Sequence, residues 1–379
     1  MSRPRILCIS LTPIVRDSRV LRQLAILAET ADVTTVGFGP KPAGATEHLE
    51  IPESYTLPQT VSGVIGLTLR RYRAVELAAP AVKAARAAIG DRRFDMVVAN
   101  EARALPLAFA VAGDAPVWGD MHEWAPGERT QVLSWRLLIA PYMRWVCRQY
   151  LPRAAAVTAV AGSIARLYDE QFGLHTELVR NASAFRELAP SAPVEGRIRL
   201  VHSGAAVPGR NIEALITGTI AAGDRFTLDL YLVQAGDGGA YWRSLRALAG
   251  RSDRITFHDA VKPDELVPEL NKYDVGVYSV PMITTNHRYM LPNKFFDFVQ
   301  ARLALVFSPS EEIDALMARY GLGITSADAS AEALTAALGQ LTPEAVAEYK
   351  RHSDVAARGE LSAAADEDVV RGIVARLLG

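Results

Sequence analysis

Four short stretches combine polar residues at spacings that can do chemistry. In "VHSGAAVPGRNIEALI" (201–216), glycines and an arginine lie between the end of an apolar run and the start of a helical pattern. Gly204 and Gly209 permit close backbone approach, and Arg210 is placed where it can face an anion such as a phosphate. In "LPNKFFDF" (291–298), Pro292 suits the first position of a helix, so an amide (Asn293), a cation (Lys294) and free N–H groups stand at one terminus. Asp297, one turn further on, can accept hydrogen bonds from sugar hydroxyls. "WGDMHEWAPGE" (118–128) places Asp120, His122 and Glu123 at a strand's carboxyl end, where catalytic groups collect. It has no second histidine one turn away, so it is not a zinc signature. "LTPIVRDSRVLRQLA" (11–25) sets Arg16, Asp17, Ser18 and Arg19 at a helix start, with Asp17 or Ser18 as N-cap. The arginines suit either a phosphate or a solvated surface. The stretch lacks Gly-x-Gly-x-x-Gly and Gly-Lys-Ser, which weakens dinucleotide and P-loop readings.

The elements that must position these groups alternate strand and helix. Apolar runs at 5–11, 33–38, 94–99, 115–118, 155–160 and 177–179 are separated by helical patterns, the first over 18–29. The texture changes at "AFRELAPSAPVEG" (184–196), which reads as a linker. Strand spacing then resumes at 198–202, 226–233, 254–257, 274–278 and 303–307. Such alternation predicts parallel sheets covered on both faces. The expectation is an α/β chain of two Rossmann-like doubly wound domains facing across a cleft. They span 1–185 and 197–362, and a last helix over 363–379 packs back across them.

Composition limits the function. The chain has 379 residues, half of them apolar, and 41 basic against 42 acidic residues, so nothing argues for a nucleic-acid partner. Its two cysteines, Cys8 and Cys147, lie in apolar stretches and favour a reduced cytoplasmic setting. The opening "MSRPRILCISLTP" is too short in its apolar part for a signal peptide, and no stretch suits a membrane span. One stretch, "WRLLIAPYMRWVCRQYLPRA" (135–154), sets Arg136, Arg144 and Arg148 opposite Leu138, Ile139, Tyr142, Trp145 and Val146. That pattern fits a helix packed on its own domain or one lying at an anionic membrane, and "LRRYR" within 67–93 raises the same choice.

In this order the stretches resemble the nucleotide-sugar glycosyltransferases of family 4, which have the GT-B fold. The likeness runs through "DSRVLRQLAILAE", "DMHE", "VTAVAGSIARLY", "VRNAS" and "VHSGAAVPGRNIEALI". It continues through "FHDAVKPDELVPELNKYDVGVYS" and "LPNKFFDFVQARLALVFSPSEE". The resemblance implies transfer of a sugar from a nucleoside diphosphate donor, UDP among the candidates, with retained anomeric configuration and without a metal or other cofactor. The donor would lie mainly on the second domain. Arg210, Lys294 and the backbone of Ser203, Gly204 and Ala205 would hold its diphosphate, and Asp297 its ribose. His122 would lie near the transferred sugar. Asn293 and Tyr289 would also face the donor; Tyr289 stands where the family has the first acid of a paired-glutamate motif, and Ala205 where it has an arginine. Arg16, Asp17, Ser18, Arg19, Asp120 and Glu123 would form an acceptor or phosphate loop. The acceptor would be a cell-envelope glycan or its lipid-linked precursor, reached in the cytoplasm or at the membrane's inner face. A nucleotide-sugar epimerase of the same architecture and an inactive nucleotide-sugar-binding scaffold remain alternatives.

Overall fold

A computed structural model describes residues 3–234 and 238–379. The chain divides into two compact units. The first holds residues up to Arg180 together with Thr284–Asn286 and Asp366–Gly379; the second holds Asn181–Ile283 and His287–Ala365.

The first unit is built on a seven-stranded sheet. Its strands are β1 (Arg5–Pro13), β2 (Asp32–Phe38), β3 (Glu47–Glu50), β4 (Met96–Asn100), β5 (Val117–Met121), β6 (Ala156–Ala159) and β7 (Glu177–Leu178). All pairs are parallel, in the order β3-β2-β1-β4-β5-β6-β7. Every residue of β4 and β5 is buried, as a sheet covered on both faces requires. Strand β3 reads Glu-His-Leu-Glu, an edge strand whose composition carries no apolar signal, and sequence periodicity passes over it. The first helix, Ser18–Thr30, is capped by Asp17, whose carboxylate accepts from the Val20 N–H at 3.2 Å. It buries two adjacent rows: Val20, Leu24 and Leu27, and beside them Arg19, Gln23 and Ile26. The second row is partly polar, and it is the one that builds a site. Helix Ala364–Leu378 adds Val370, Ile373 and Val374 to the same core.

The second unit repeats the plan with β8 (Ile198–Ala206), β9 (Phe226–Gln234), β10 (Ile255–His258), β11 (Val275–Tyr278), β12 (Ala304–Phe307) and β13 (Gly323–Thr325). Their order is β10-β9-β8-β11-β12-β13, again all parallel. Strand β13 is three residues long and was not legible in the sequence. Helix Asn293–Gln300 lies on β11 and β12 through Phe295, Phe296, Phe298 and Val299, all fully buried. Its close approach depends on Gly276, where a Cβ would lie 2.3 Å from the Phe298 ring. Pro292 takes the N-cap position rather than the first helical one.

Residues 184–193 have no regular structure but are not a free tether. They belong to the second unit, because buried Gln300 and Arg302 need partners and take the Arg186 N–H (3.2 Å) and the Arg186 carbonyl (2.8 Å). Among the described residues, no helix is long and apolar enough to cross a membrane.

Candidate active site

In both sheets the strand order reverses beside the first strand of the unit, and ligands of doubly wound folds sit outside the carboxyl ends at that point. In the second unit the reversal lies between β8 and β11. Here the structure gathers Gly204, His202, Tyr278, Lys294 and Arg210. The end of Lys294 lies against Gly204, where an added Cβ would come within 2.8 Å of Cε and Nζ. Its ammonium stands 5.6 Å from the centre of the Tyr278 ring. Burial first, and repulsion from Arg210 second, hold the Lys294 pKa down to about 8, with Asp297 opposing them. A cation kept in such a place is poised for an anion.

His202 is neutral there. Burial, then Lys294, pushes its pKa down to about 3, while Nδ1 contacts the Val277 carbonyl at 2.9 Å. With Nδ1–H donating, Nε2 is left as an acceptor at the Gly204 side, 3.9 Å from the Cβ position. Arg210 stands exposed at the loop's end, near enough to Tyr278, His202 and Lys294 to act on all three. Helices Ile212–Ala221 and Asn293–Gln300 both start without a side-chain cap on their first N–H groups. Two cations and two uncapped helix starts in one unit suit a diphosphate.

The other residues expected at the donor divide. Ser203 is buried, and Ala205 and Asn293 are exposed at the same two loops. Asp297 accepts a 2.5 Å hydrogen bond from the Ser183 hydroxyl. Tyr289, in the short helix Thr285–Tyr289, carries Arg288 over its ring at 5.3 Å; among the described residues no hydrogen bond or ion pair joins it to Lys294 or Arg210. Gly204→Ala is expected to lower stability by about 1–2 kcal/mol, because a Cβ would be forced onto a backbone at φ +150° and would also displace the Lys294 terminus. It should weaken nucleotide binding by about tenfold, as a displaced charge-assisted contact would. Calorimetric titration against thermal unfolding checks both halves.

In the first unit the reversal lies between β1 and β4, and a buried polar layer stands there. Arg19 binds Asp120 with two parallel bonds, Nε to Oδ2 at 2.9 Å and Nη2 to Oδ1 at 2.5 Å, and its Nη1 donates to the Val179 carbonyl at 2.6 Å. Thr158 (2.6 Å) and Gln23 (3.2 Å) complete the carboxylate's shell. Burial works against ionisation of Asp120, but Arg19 and His122 hold its carboxyl well below the usual range. Arg19 and Asp120 were expected to face an acceptor or phosphate. Both are buried against each other, and they position the layer instead.

His122 is the member that reaches outward. Its Nε2 lies 3.3 Å from Asp120 and 3.2 Å from the Asn100 Oδ1, and its Nδ1 is 3.9 Å from Glu101. Glu101, Arg103, His122, Glu123 and Glu128 line a water-sized hollow of about 10 Å³. Arg103 bridges Glu101 (2.6 Å) and Glu128 (2.9 Å). Glu123 accepts from Asn286 at 2.9 Å, and Asn286 in turn takes the Trp124 N–H at 2.8 Å. Of the 16–19 cluster, Asp17 is the cap, Ser18 is exposed, and Arg16 opens onto a separate hollow with Pro13, Phe38 and Glu50 at the ends of β1–β3.

Glu101 escaped the sequence reading. Its backbone sits at φ 69°, ψ 155°, a region nearly confined to glycine, at the end of β4. A polar Asn-Glu pair closing the apolar run 96–99 was the signal. Because this backbone conformation strains any residue with a Cβ, Glu101→Gly should be more stable than Glu101→Ala by about 1–2 kcal/mol, reversing the ordinary order. Denaturant unfolding of the pair measures this directly.

The chain's one Asp-x-Asp, Asp366–Asp368, opens the last helix. Asp366 is taken by Arg180 (2.9 Å) and Asp368 pairs with Arg371 (3.3 Å). Among the described residues no group of three His, Cys, Asp or Glu side chains is placed to hold a metal ion.

Two six- and seven-stranded parallel sheets, each reversing beside its first strand, define a GT-B-type glycosyltransferase fold. Residues 18–182 match the model of Glycosyltransferase Family 4. The HepE protein of Anabaena, solved with UDP and glucose, is similar over 98% of this chain and 100% of its own, with TM-score 0.69 at 12% identity. Sucrose-phosphate synthase of Thermosynechococcus elongatus is similar over 99% of both chains, with TM-score 0.73 at 15% identity. A glycosyltransferase of Rickettsia africae covers 99% of both, with TM-score 0.66 at 10% identity. No curated protein matches by sequence.

Proposed function

We propose that the chain is a retaining, metal-independent glycosyltransferase that moves a sugar from a nucleoside diphosphate donor to a cell-envelope glycan or lipid-linked acceptor at the cytoplasmic side. The observation that carries this reading is Lys294 set against Gly204 at the reversal point of the second sheet, with Arg210 close enough to repel its charge. The HepE structures with UDP and with UDP-glucose support a uridine donor.

Breaking the bond from sugar to diphosphate leaves charge on the departing phosphate. Lys294, Arg210 and the two helix starts stabilise that charge in place of a metal ion. The leaving phosphate oxygen then takes the proton of the acceptor hydroxyl on the same face, so no carboxylate nucleophile is required and the two-carboxylate scheme of glycosidases does not apply. His122, held by Asp120 and Asn100, is assigned to the sugar being transferred.

The test is turnover of UDP-glucose and related donors in EDTA, with the product's anomeric configuration followed by proton NMR. Retention of configuration with EDTA-insensitive rates is expected; inversion, or loss of activity in EDTA, overturns the mechanism. His122→Ala should lower kcat by about 100-fold or more while donor affinity stays within a few-fold, the pattern of a group acting on the reacting sugar. Epimerised donor appearing without any acceptor would contradict the assignment.

A further inference from the structure

We infer that the first unit carries a docking surface for an anionic lipid bilayer, built from helix Val61–Thr68 and the turn Trp135–Ile139 that packs against it. Val61, Ile65 and Leu69 follow one another at four-residue intervals and are 81%, 55% and 62% exposed. Leu137 on the second element and Leu133, two residues before that element begins, repeat the interval at 62% and 58%. Neighbouring apolar side chains displayed at helical spacing on two packed elements form a ridge, not the scattered singletons usual on a soluble surface. The opposite sides are ordinary core: Gly63, Gly66 and Leu67 in one, Trp135 and Ile139 in the other.

Charge selects the occupant. Residues 54–75 hold Arg70, Arg71 and Arg73 and no acid, and residues 129–153 hold Arg129, Arg136, Arg144, Arg148 and Arg153 and no acid. In a chain whose net charge is −1, two acid-free segments rich in arginine meet at the same ridge. Arg70, Arg71 and Arg136 are exposed beside it. A neutral protein partner would not call for this cationic border, whereas headgroup phosphates would. The apolar ridge enters the headgroup boundary while the arginines remain at the phosphates.

The surface belongs to the first unit and the proposed donor site to the second, so it is tested without a nucleotide. Its consequence, a preference for lipid-anchored over soluble acceptors, rests on the function proposed above.

The experiment is flotation of the full chain with phosphatidylcholine vesicles and with vesicles that also contain phosphatidylglycerol. Two variants are compared, Ile65→Ser/Leu137→Ser and Arg70→Glu/Arg71→Glu, with thermal unfolding confirming that each folds. Wild type should bind only the anionic vesicles and leave them at high salt. Each variant should partition roughly 30-fold more weakly, the effect of removing about two headgroup contacts. Equal binding to both vesicle types, no binding to either, or unchanged binding by either variant overturns the proposal. So does a wild-type dimer that Ile65→Ser/Leu137→Ser converts to monomer, since a second copy would then be the occupant.

Discussion

Replacing Lys294 with methionine is expected to stabilise the protein at pH 7 while weakening nucleoside diphosphate binding by about 30-fold or more. The two effects have one origin. Lys294 is half-buried beside Arg210 with its pKa lowered to about 8, so the fold is penalised whenever it is charged. Methionine keeps the packing and removes the charge, for an expected gain of roughly 1–2 kcal/mol after solvent screening. A bound diphosphate supplies the missing counter-charge, and losing one partner of such a pair costs about 2–5 kcal/mol of binding. The pH dependence follows. The folded pKa lies below that of the unfolded chain, so this penalty is present in full below about pH 8 and fades as pH rises toward 10. The methionine variant's advantage should therefore shrink over that window. Donor affinity of the wild type should decline above pH 8 as the ammonium deprotonates, and Lys294→Arg should abolish that decline. Thermal unfolding and calorimetric titration from pH 6 to 10 check each part.

The second large effect falls on the first unit and has the opposite sign. Arg19→Met is expected to destabilise the protein by about 3–5 kcal/mol, because it leaves the Asp120 carboxylate buried without its cation. For a unit of this size that lowers its melting temperature by about 10 °C. Because Asp120 is held below the ordinary carboxylate range, the contribution is complete above about pH 4 and is lost only as the solution becomes strongly acidic. Arg19→Met/Asp120→Leu should recover much of the loss, since an apolar pair of similar volume replaces a desolvated ion pair. A single Arg19→Met variant as stable as the wild type would show that the layer around His122 is not held in this way. Differential scanning calorimetry of the three proteins decides it.

The loops of the proposed donor site were legible because a parallel sheet places its chemistry after the strands, and "VHSGAAVPGR" and "LPNK" fall there. His202 was not, since a histidine inside an apolar run looks like any satisfied core residue until Lys294 is seen beside it. Arg16 and Arg19 looked alike in the chain. Helical phase separates them: Arg19 shares its row with Gln23 and Ile26 and turns inward, whereas Arg16 precedes the helix and faces out. Edge strands β3 and β13 were missed because one is polar and the other three residues long. The arginines of 135–154 do face solvent, with Tyr142, Met143, Val146 and Cys147 buried opposite them, so that helix packs on its own unit. The exposed leucines lie just before it.

The most direct test of the central claim is calorimetric titration of UDP-, GDP- and dTDP-sugars into the wild type, Arg210→Ala and Lys294→Ala in EDTA. Binding of one nucleotide class at micromolar affinity, lost in both variants, is the result expected for a diphosphate held by Lys294 and Arg210 without a metal. If no nucleotide sugar binds, or if binding is indifferent to both substitutions, the site at the reversal of the second sheet is not a donor site.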